Sequence, residues 1–91
     1  MFKFDENKQT NKHCIMLRDE SKLLQCDLEA RKIMFDLIIG PNVVLHLERP
    51  LIGSAEYPER HMVVISWDKT KRHGLLGVDG VSEEKTAPMR Q

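Results

Sequence analysis

Residues 23–30 read LLQCDLEA, and this stretch decides the class of fold. Its apolar and polar residues alternate, which puts the two kinds of side chain on opposite faces of an extended backbone. The stretch VVLHLE at residues 43–48 repeats this period of two. The side chains on the two apolar faces are Leu24, Cys26, Leu28 and Ala30 in the first stretch and Val43, Leu45 and Leu47 in the second. The pattern predicts half-buried β-strands.

Short apolar runs separated by turn residues continue through most of the chain. The runs are HCIML, LLQCDLEA, IMFDLII, VVLHLE, HMVVISW and GLLGV, and segments such as RDESK, GPN, DKTKRH and DG stand between them. This punctuation is typical of strands. Short strands in this number close most naturally into a small barrel, which leaves no exposed sheet edge. We therefore predict an all-β protein with a six-stranded antiparallel barrel.

Residues 21–39 allow a second interpretation as a helix. Leu24, Leu28, Phe35 and Ile38 would form its apolar face. The helix would begin at a Ser21 cap and end before Gly40. We favour strands here, because the period of two is present in the same residues.

The length of the chain, 91 residues, allows one domain with a modest core. We assign that domain to residues 12–82. Residues 1–11 and 83–91 are polar and poor in core-forming side chains, so both ends are predicted to be flexible arms.

Composition excludes several classes of protein. Lysine and arginine number 14 and are balanced by 14 acidic residues, so no overall charge draws the protein to nucleic acid or to an anionic membrane. Cys14 and Cys26 form neither a disulfide framework nor a zinc motif, and we interpret both as small buried hydrophobes. The N-terminal residues lack the apolar segment of a signal peptide, and the longest apolar run is too short to span a bilayer. These features favour a cytoplasmic location.

No motif in the chain indicates catalysis or a metal site. The histidines are scattered, at positions 13, 46, 61 and 73, without HxH or HExxH spacing. No serine lies in a GxSxG motif, and no two carboxylates have the spacing of an acid and base pair. We expect a protein that is not an enzyme and that needs no cofactor.

The clearest basic cluster lies in the segment DKTKRH at residues 68–73. Its residues Lys69, Lys71, Arg72 and His73 follow a strand whose other end carries Arg60 and His61. A solvated hairpin tip explains this cluster without a function. If the protein has a partner surface, this hairpin is the predicted one.

From Gly40 onward the chain resembles the second half of a PilZ domain, the six-stranded barrel with which many bacterial proteins sense cyclic di-GMP. The similar features are the strand VVLHLE, the strand end Val64-Ile65-Ser66-Trp67, the charged hairpin DKTKRH, the segment GLLGV and the acidic Ser82-Glu83-Glu84. The resemblance covers about half of the chain, and it implies a regulatory module.

The ligand signature of that family is altered in this sequence. Where the family has an arginine pair, this chain has Lys8 and Lys12, and of the D/N-x-S-x-x-G turn only Asp27 agrees. Lysine can neither pair bidentately with guanine nor stack flat on a base. The loss of two bidentate contacts would weaken binding by about 30-fold to 10⁴-fold. The resemblance thus implies a module with weak or lost cyclic di-GMP binding, in which Lys8, Lys12 and Asp27 form any residual site, and which acts through a protein partner.

Two other functional interpretations remain open. The stretches LHLERPLIG, HMVVISW, GLLGV and PMR also resemble the short strands of the carbon storage regulator family of RNA-binding proteins. On that resemblance Leu47, Arg49 and Arg90 would contact RNA. The third interpretation is a small phage-type inhibitor that occludes a larger protein, which a compact, neutral domain would suit. The sequence does not decide the oligomeric state.

Overall fold

The computed structural model of the protein describes residues 2–88, and these residues form eight strands in two antiparallel sheets. The strands are β1 (Phe2–Asp5), β2 (His13–Arg18), β3 (Lys22–Asp27), β4 (Lys32–Ile39), β5 (Asn42–Pro50), β6 (Arg60–Asp68), β7 (His73–Val78) and β8 (Val81–Thr86). A single turn of 3₁₀ helix, Glu6–Lys8, follows β1. Sheet A has the strand order β1-β6-β7-β8, and sheet B has the order β2-β3-β4-β5.

The predicted all-β class is confirmed, but the six-stranded closed barrel is wrong. The six apolar runs of the sequence coincide with β2 to β7. Two further strands, β1 and β8, lie at opposite edges of sheet A. Within residues 2–88 the strands divide into two separate four-stranded sheets, so each sheet keeps its own edge strands.

Residues 21–39 form strands, as predicted, and not a helix. They contain β3 and β4, which pair in register so that Leu24 lies opposite Phe35 and Cys26 lies opposite Ile33. The turn between them is held by the Asp27 carboxylate, which accepts hydrogen bonds from the backbone N–H groups of Glu29 and Ala30. An aspartate that bonds to its own following backbone is a common way to build a turn.

The core lies between the facing surfaces of the two sheets. Its fully buried side chains are Leu24, Cys26, Ile33, Phe35, Leu37, Leu47, Val63, Leu76 and Val78. Val43, which was predicted on the apolar face of its strand, is instead exposed. The register of β4 and β5 shifts between Leu37 and Ile38, which ends the simple alternation before Val43.

The prediction of two flexible arms differs from the structure over residues 2–8 and 83–86. Phe4 is buried in the core, and its strand pairs with β6. At the other end, Glu83 and Glu84 belong to β8, which pairs with β7 across a turn at Asp79 and Gly80. Both turn residues have positive φ, which is the conformation that tight two-residue hairpins require. Residues 89–91 lie outside the described part of the chain.

Polar contacts also join the two sheets. The Lys22 ammonium is almost buried and lies 4.0 Å from the centroid of the Trp67 ring, so strand β3 contacts strand β6. The same ammonium binds Asp19 at 2.6 Å, and this hydrogen bond holds the pKa of the Asp19 carboxyl below its usual range. Trp67 thus packs against Lys22 at the end of its strand. Residues 2–88 contain no helix of the length and hydrophobicity that a membrane span needs.

The buried position of Phe4 yields a stability prediction. We expect Phe4→Ala to lower the free energy of unfolding by about 3 kcal/mol or more, because it leaves a cavity in the core. Lys3→Ala, on the exposed face of the same strand, should change the free energy of unfolding by less than about 0.5 kcal/mol. Urea unfolding followed by circular dichroism measures both. Equal midpoints for the wild type and Phe4→Ala would mean that the N-terminal segment is an arm after all.

Candidate functional site

A groove of about 590 Å³ lies where β1 and the 3₁₀ helix meet the beginning of β6. We call it the β1 groove. Its lining residues are Lys3, Phe4, Asp5, Lys8, Gln9, Arg60, His61 and Met62. Since Lys3 lies opposite Met62 and Asp5 lies opposite Arg60 in the pairing of β1 with β6, the groove follows two neighbouring strands across sheet A.

The β1 groove is positively charged although the whole protein is neutral. Lys3, Lys8 and Arg60 are exposed, and Asp5 is the single carboxylate in the lining. One oxygen of that carboxylate already accepts a hydrogen bond from the backbone N–H of Asn7. The Arg60 guanidinium lies 4.3 Å from the centroid of the Tyr57 ring, which orients it by a cation–π contact. The local charge suits an anionic ligand or an acidic partner.

Exposed apolar side chains continue from the groove along the solvent face of sheet A. Met62 and Val64 alternate on β6 with the buried His61 and Val63, and about 41% of Met62 is exposed. Tyr57 is similarly exposed on the loop beside Arg60. Exposed apolar surface rimmed by charged residues is typical of a surface that contacts another protein.

A fully buried histidine forms part of the groove lining. The His61 ring lies between two carboxylates, with Nδ1 at 2.7 Å from Asp79 and Nε2 at 2.5 Å from Glu6. Each ring nitrogen of His61 is thus within hydrogen-bond distance of one carboxylate. We call these three residues the His61 triad.

Further contacts fix the carboxylates of the His61 triad. Arg31 donates to Glu6 at 2.7 Å, and the backbone N–H groups of Gly53 and Met62 donate to Asp79. Burial raises the pKa of Asp79, but the hydrogen bonds from His61 and from the two N–H groups outweigh it, so the pKa lies below the usual range. The triad therefore ties the loop at Gly53 and the turn at Arg31 to one end of sheet A.

A second histidine between two carboxylates lies on the solvent face of sheet B. His46 contacts Asp36 through Nδ1 and Glu48 through Nε2, and Lys32 binds Glu48 at 2.9 Å. The hydrogen bond to Glu48, followed by the bond to Asp36, raises the pKa of His46. This explains the aspartate inside the apolar run of β4: it faces away from the core. The cluster is a stabilising network at the surface of sheet B, and it lies outside the β1 groove.

The residues predicted for a residual nucleotide site do not form one continuous surface. Lys8 lines the β1 groove, whereas Lys12 immediately precedes β2 and Asp27 ends β3, beside the turn into β4. There the Lys12 carbonyl accepts a hydrogen bond from Leu28, and its ammonium lies 3.7 Å from Glu29. The Asp27 carboxylate holds the turn itself.

The predicted partner hairpin is partly engaged within the protein. The Arg72 guanidinium donates to the carbonyl of Pro88, and the His73 ring contacts Thr86 and Glu84. Lys69 and Lys71 extend from the exposed turn. Two of the four predicted residues therefore anchor the strand β8 and the segment after it.

The RNA-binding interpretation singled out Leu47, Arg49 and Arg90. Leu47 is fully buried, Arg49 is half-buried with its Nε unpaired among residues 2–88, and Arg90 lies outside the described residues.

Cys14 and Cys26 are opposite each other on β2 and β3. Burial raises the pKa of both thiols, that of Cys26 to about 12. Both are free; Cys26 is buried as predicted, whereas Cys14 is only half-buried.

Comparisons with protein-family models, curated proteins and solved structures gave no significant match. Among residues 2–88, no three His, Cys, Asp or Glu side chains gather in a way that could hold a metal ion. The β1 groove is therefore the candidate site on geometry alone. Sequence reasoning singled out Lys8, Arg60 and His61 separately, but it assigned Lys3 to a flexible arm. The only signal for Lys3 was the alternation FKFD, which is too short to predict a strand.

The His61 triad yields a prediction with a matched control. Asp79→Asn keeps a residue that tolerates the positive φ of the turn but loses the charge that three donors contact. We expect it to lower the free energy of unfolding by about 2 kcal/mol at pH 7. Asp68→Asn, which affects one exposed turn bond in the other hairpin of sheet A, should cost less than about 0.5 kcal/mol.

The effect of Asp79→Asn should also depend on pH. Because the pKa of Asp79 is lowered by folding, its stabilisation is present above the unfolded pKa of about 3.9 and is lost as the pH falls through the folded value. Urea unfolding at pH 7 and at pH 3 measures this difference. A gap between the wild type and Asp79→Asn that is as large at pH 3 as at pH 7 would contradict the assignment.

His46 yields a prediction of the opposite sign. Because folding raises its pKa, its stabilisation is complete below the unfolded pKa of about 6.5 and is lost as the pH rises through the folded value. We expect His46→Gln to be less stable than the wild type by up to about 1 kcal/mol at pH 5.5, and equally stable at pH 9. Because this cluster is exposed, 1 M salt should reduce the difference at pH 5.5. A difference that persists at pH 9 would show that packing, and not charge, is responsible.

Proposed function

We propose that this protein is a small regulatory or adaptor module that acts by binding a protein partner through the β1 groove. The observation that carries the proposal is the combination of three exposed cations, Lys3, Lys8 and Arg60, with the exposed apolar side chain of Met62 in one groove. A neutral protein has no overall field to concentrate anions, so this local surplus of two positive charges, three minus one, is a feature of the groove alone.

An acidic segment of the partner is the ligand that this surface fits. Carboxylates would pair with the lysines and with Arg60, while apolar side chains would cover Met62 and Val64. Two adjacent strands and the 3₁₀ helix line the groove, which gives an extended segment of the partner a surface to lie along. The module acts by contact with its partner and not by catalysis.

In this proposal cyclic di-GMP binds weakly or not at all. Lys8 lies in the groove lining, but Lys12 and Asp27 do not. Recognition of a guanine edge by a lysine also lacks the bidentate geometry that an arginine provides. A degenerate PilZ-like module that has kept a partner-binding role is consistent with these features, while its eight strands in two sheets differ from the six-stranded barrel of that family.

Two double charge reversals test the proposal. Lys8→Glu/Arg60→Glu changes the β1 groove, and Lys69→Glu/Lys71→Glu changes the hairpin by the same number of charges. Each variant, and the wild type, is immobilised and exposed to an extract of the source cells, and the proteins that bind are identified by mass spectrometry. We expect a partner that the groove variant loses by at least about tenfold and that the hairpin variant retains.

The controls separate the other interpretations. Circular dichroism must show that both variants are folded. Added cyclic di-GMP should not displace the partner, and nuclease treatment should not release it. A partner lost only with the hairpin variant would transfer the function to Lys69 and Lys71, and a partner released by nuclease would favour RNA binding.

A further inference from the structure

The strand β1 has an edge that no other described strand covers. Sheet A has the order β1-β6-β7-β8, so β1 is bonded to β6 on one side and is open on the other. An open edge presents backbone N–H and C=O groups that can pair with another extended chain. Only the groups of β1 that point away from β6 are available for such pairing.

The hydrogen bonds of Met62 show which backbone groups of β1 point away from β6. Its backbone N–H donates to the Asp79 side chain at 3.0 Å, and its carbonyl accepts from the Asp79 N–H at 2.9 Å, so both groups point away from β1. Lys3 lies opposite Met62. In an antiparallel pair, residues opposite each other either exchange both bonds or exchange none. Lys3 therefore directs its own N–H and C=O toward the open edge.

Asp5 follows the same alternation, because it is two residues further along the strand. Its carbonyl accepts a long hydrogen bond, 3.4 Å, from the Gln9 side chain, which confirms that it faces away from β6. Outside the strand pairs, no hydrogen bond among residues 2–88 reaches the N–H or C=O of Lys3 or the N–H of Asp5. Three backbone groups in a row are thus available beside the β1 groove.

We propose that an acidic, extended segment of a protein partner adds to sheet A as a further strand along the open edge of β1. This inference rests on the proposed function and specifies how the groove binds. Backbone bonds to Lys3 and Asp5 would align the segment, and Lys3, Lys8 and Arg60 would pair with its acidic side chains. Strand addition of this kind draws affinity from the main chain and specificity from the side chains beside it.

The positive charge of the β1 groove favours an acidic partner segment over a second copy of the same chain at the open edge of β1. Two copies joined edge to edge at β1 would bring their cationic grooves, each with Lys3, Lys8 and Arg60, next to each other. Like charges in close proximity oppose association. An acidic segment gains from the same three cations.

The test uses synthetic peptides and the full-length protein. The probe is a fluorescent peptide of about eight residues with alternating Glu and Val, and a Lys and Val peptide is the charge control. Two further copies of the acidic probe are N-methylated, one on every Glu and the other on every Val, so that each blocks the hydrogen bonds of one edge of the peptide. Fluorescence anisotropy gives the affinities.

We expect the acidic probe to bind, the basic one not to bind, and one of the two methylated copies to bind at least about tenfold more weakly than the other. On the protein side, Lys3→Pro removes the outward N–H without breaking the pairing of β1 with β6. It should bind the acidic probe at least about fivefold more weakly than Lys3→Ala, which removes only the charge.

The possible failures are distinguishable. If Lys8→Glu/Arg60→Glu abolishes probe binding but both methylated copies bind as tightly as the parent, strand addition is wrong and the groove function stands. If the acidic probe does not bind, strand addition of an acidic segment is wrong. The extract-binding experiment with the groove and hairpin variants then tests separately whether the β1 groove binds a protein partner. Dimerisation that Lys3→Pro abolishes, measured by sedimentation, would overturn the proposal in favour of a second copy at this edge.

Discussion

The buried hydrogen bonds of His61 with Glu6 and Asp79 are the interaction on which the arrangement of sheet A depends. Glu6 follows β1, His61 lies in β6 and Asp79 lies in the turn between β7 and β8, so the three side chains bring together segments that are far apart in sequence. Polar groups with little exposure to solvent are costly to desolvate, and they are tolerated when each keeps its hydrogen-bond partners. Here Arg31 and two backbone N–H groups supply the remaining donors. The same ring lines the β1 groove, so the order of the groove and the stability of the sheet rest on the same contacts.

Most of the secondary structure follows from local patterning, whereas the assembly of the strands does not. The period of two in residues 23–30 identifies β3, because side chains that alternate along a strand must meet the core and the solvent in turn. The end strands lack this signal. β8 carries only Val81 as a large apolar residue, and it forms because the turn at Asp79 and Gly80 folds it back onto the backbone of β7. Closure into a barrel was inferred from strand number, but the number of strands cannot determine which edges meet.

The candidate site was predictable only in pieces. Basic residues in a turn attract attention in a sequence, and Lys69, Lys71, Arg72 and His73 are four such residues in one segment. The sequence does not reveal that Pro88 and β8 occupy the side chains of Arg72 and His73. Conversely, Lys3 and Arg60 are separated by more than half of the chain, and only the pairing of β1 with β6 makes them neighbours. A binding surface built from paired strands is a property of the register, which side-chain composition does not encode.

The open edge of β1 shows how one feature can serve two physical requirements. A small domain with two open sheets must prevent its edges from pairing with copies of itself, and a short strand with an outward lysine is a usual means of doing so. β1 is a four-residue strand that carries Lys3, with Lys8 and Arg60 beside it. These cations oppose the approach of an identical cationic edge, but they attract an acidic one. The charges that keep the free protein from self-association would therefore also select the sign of charge of its partner.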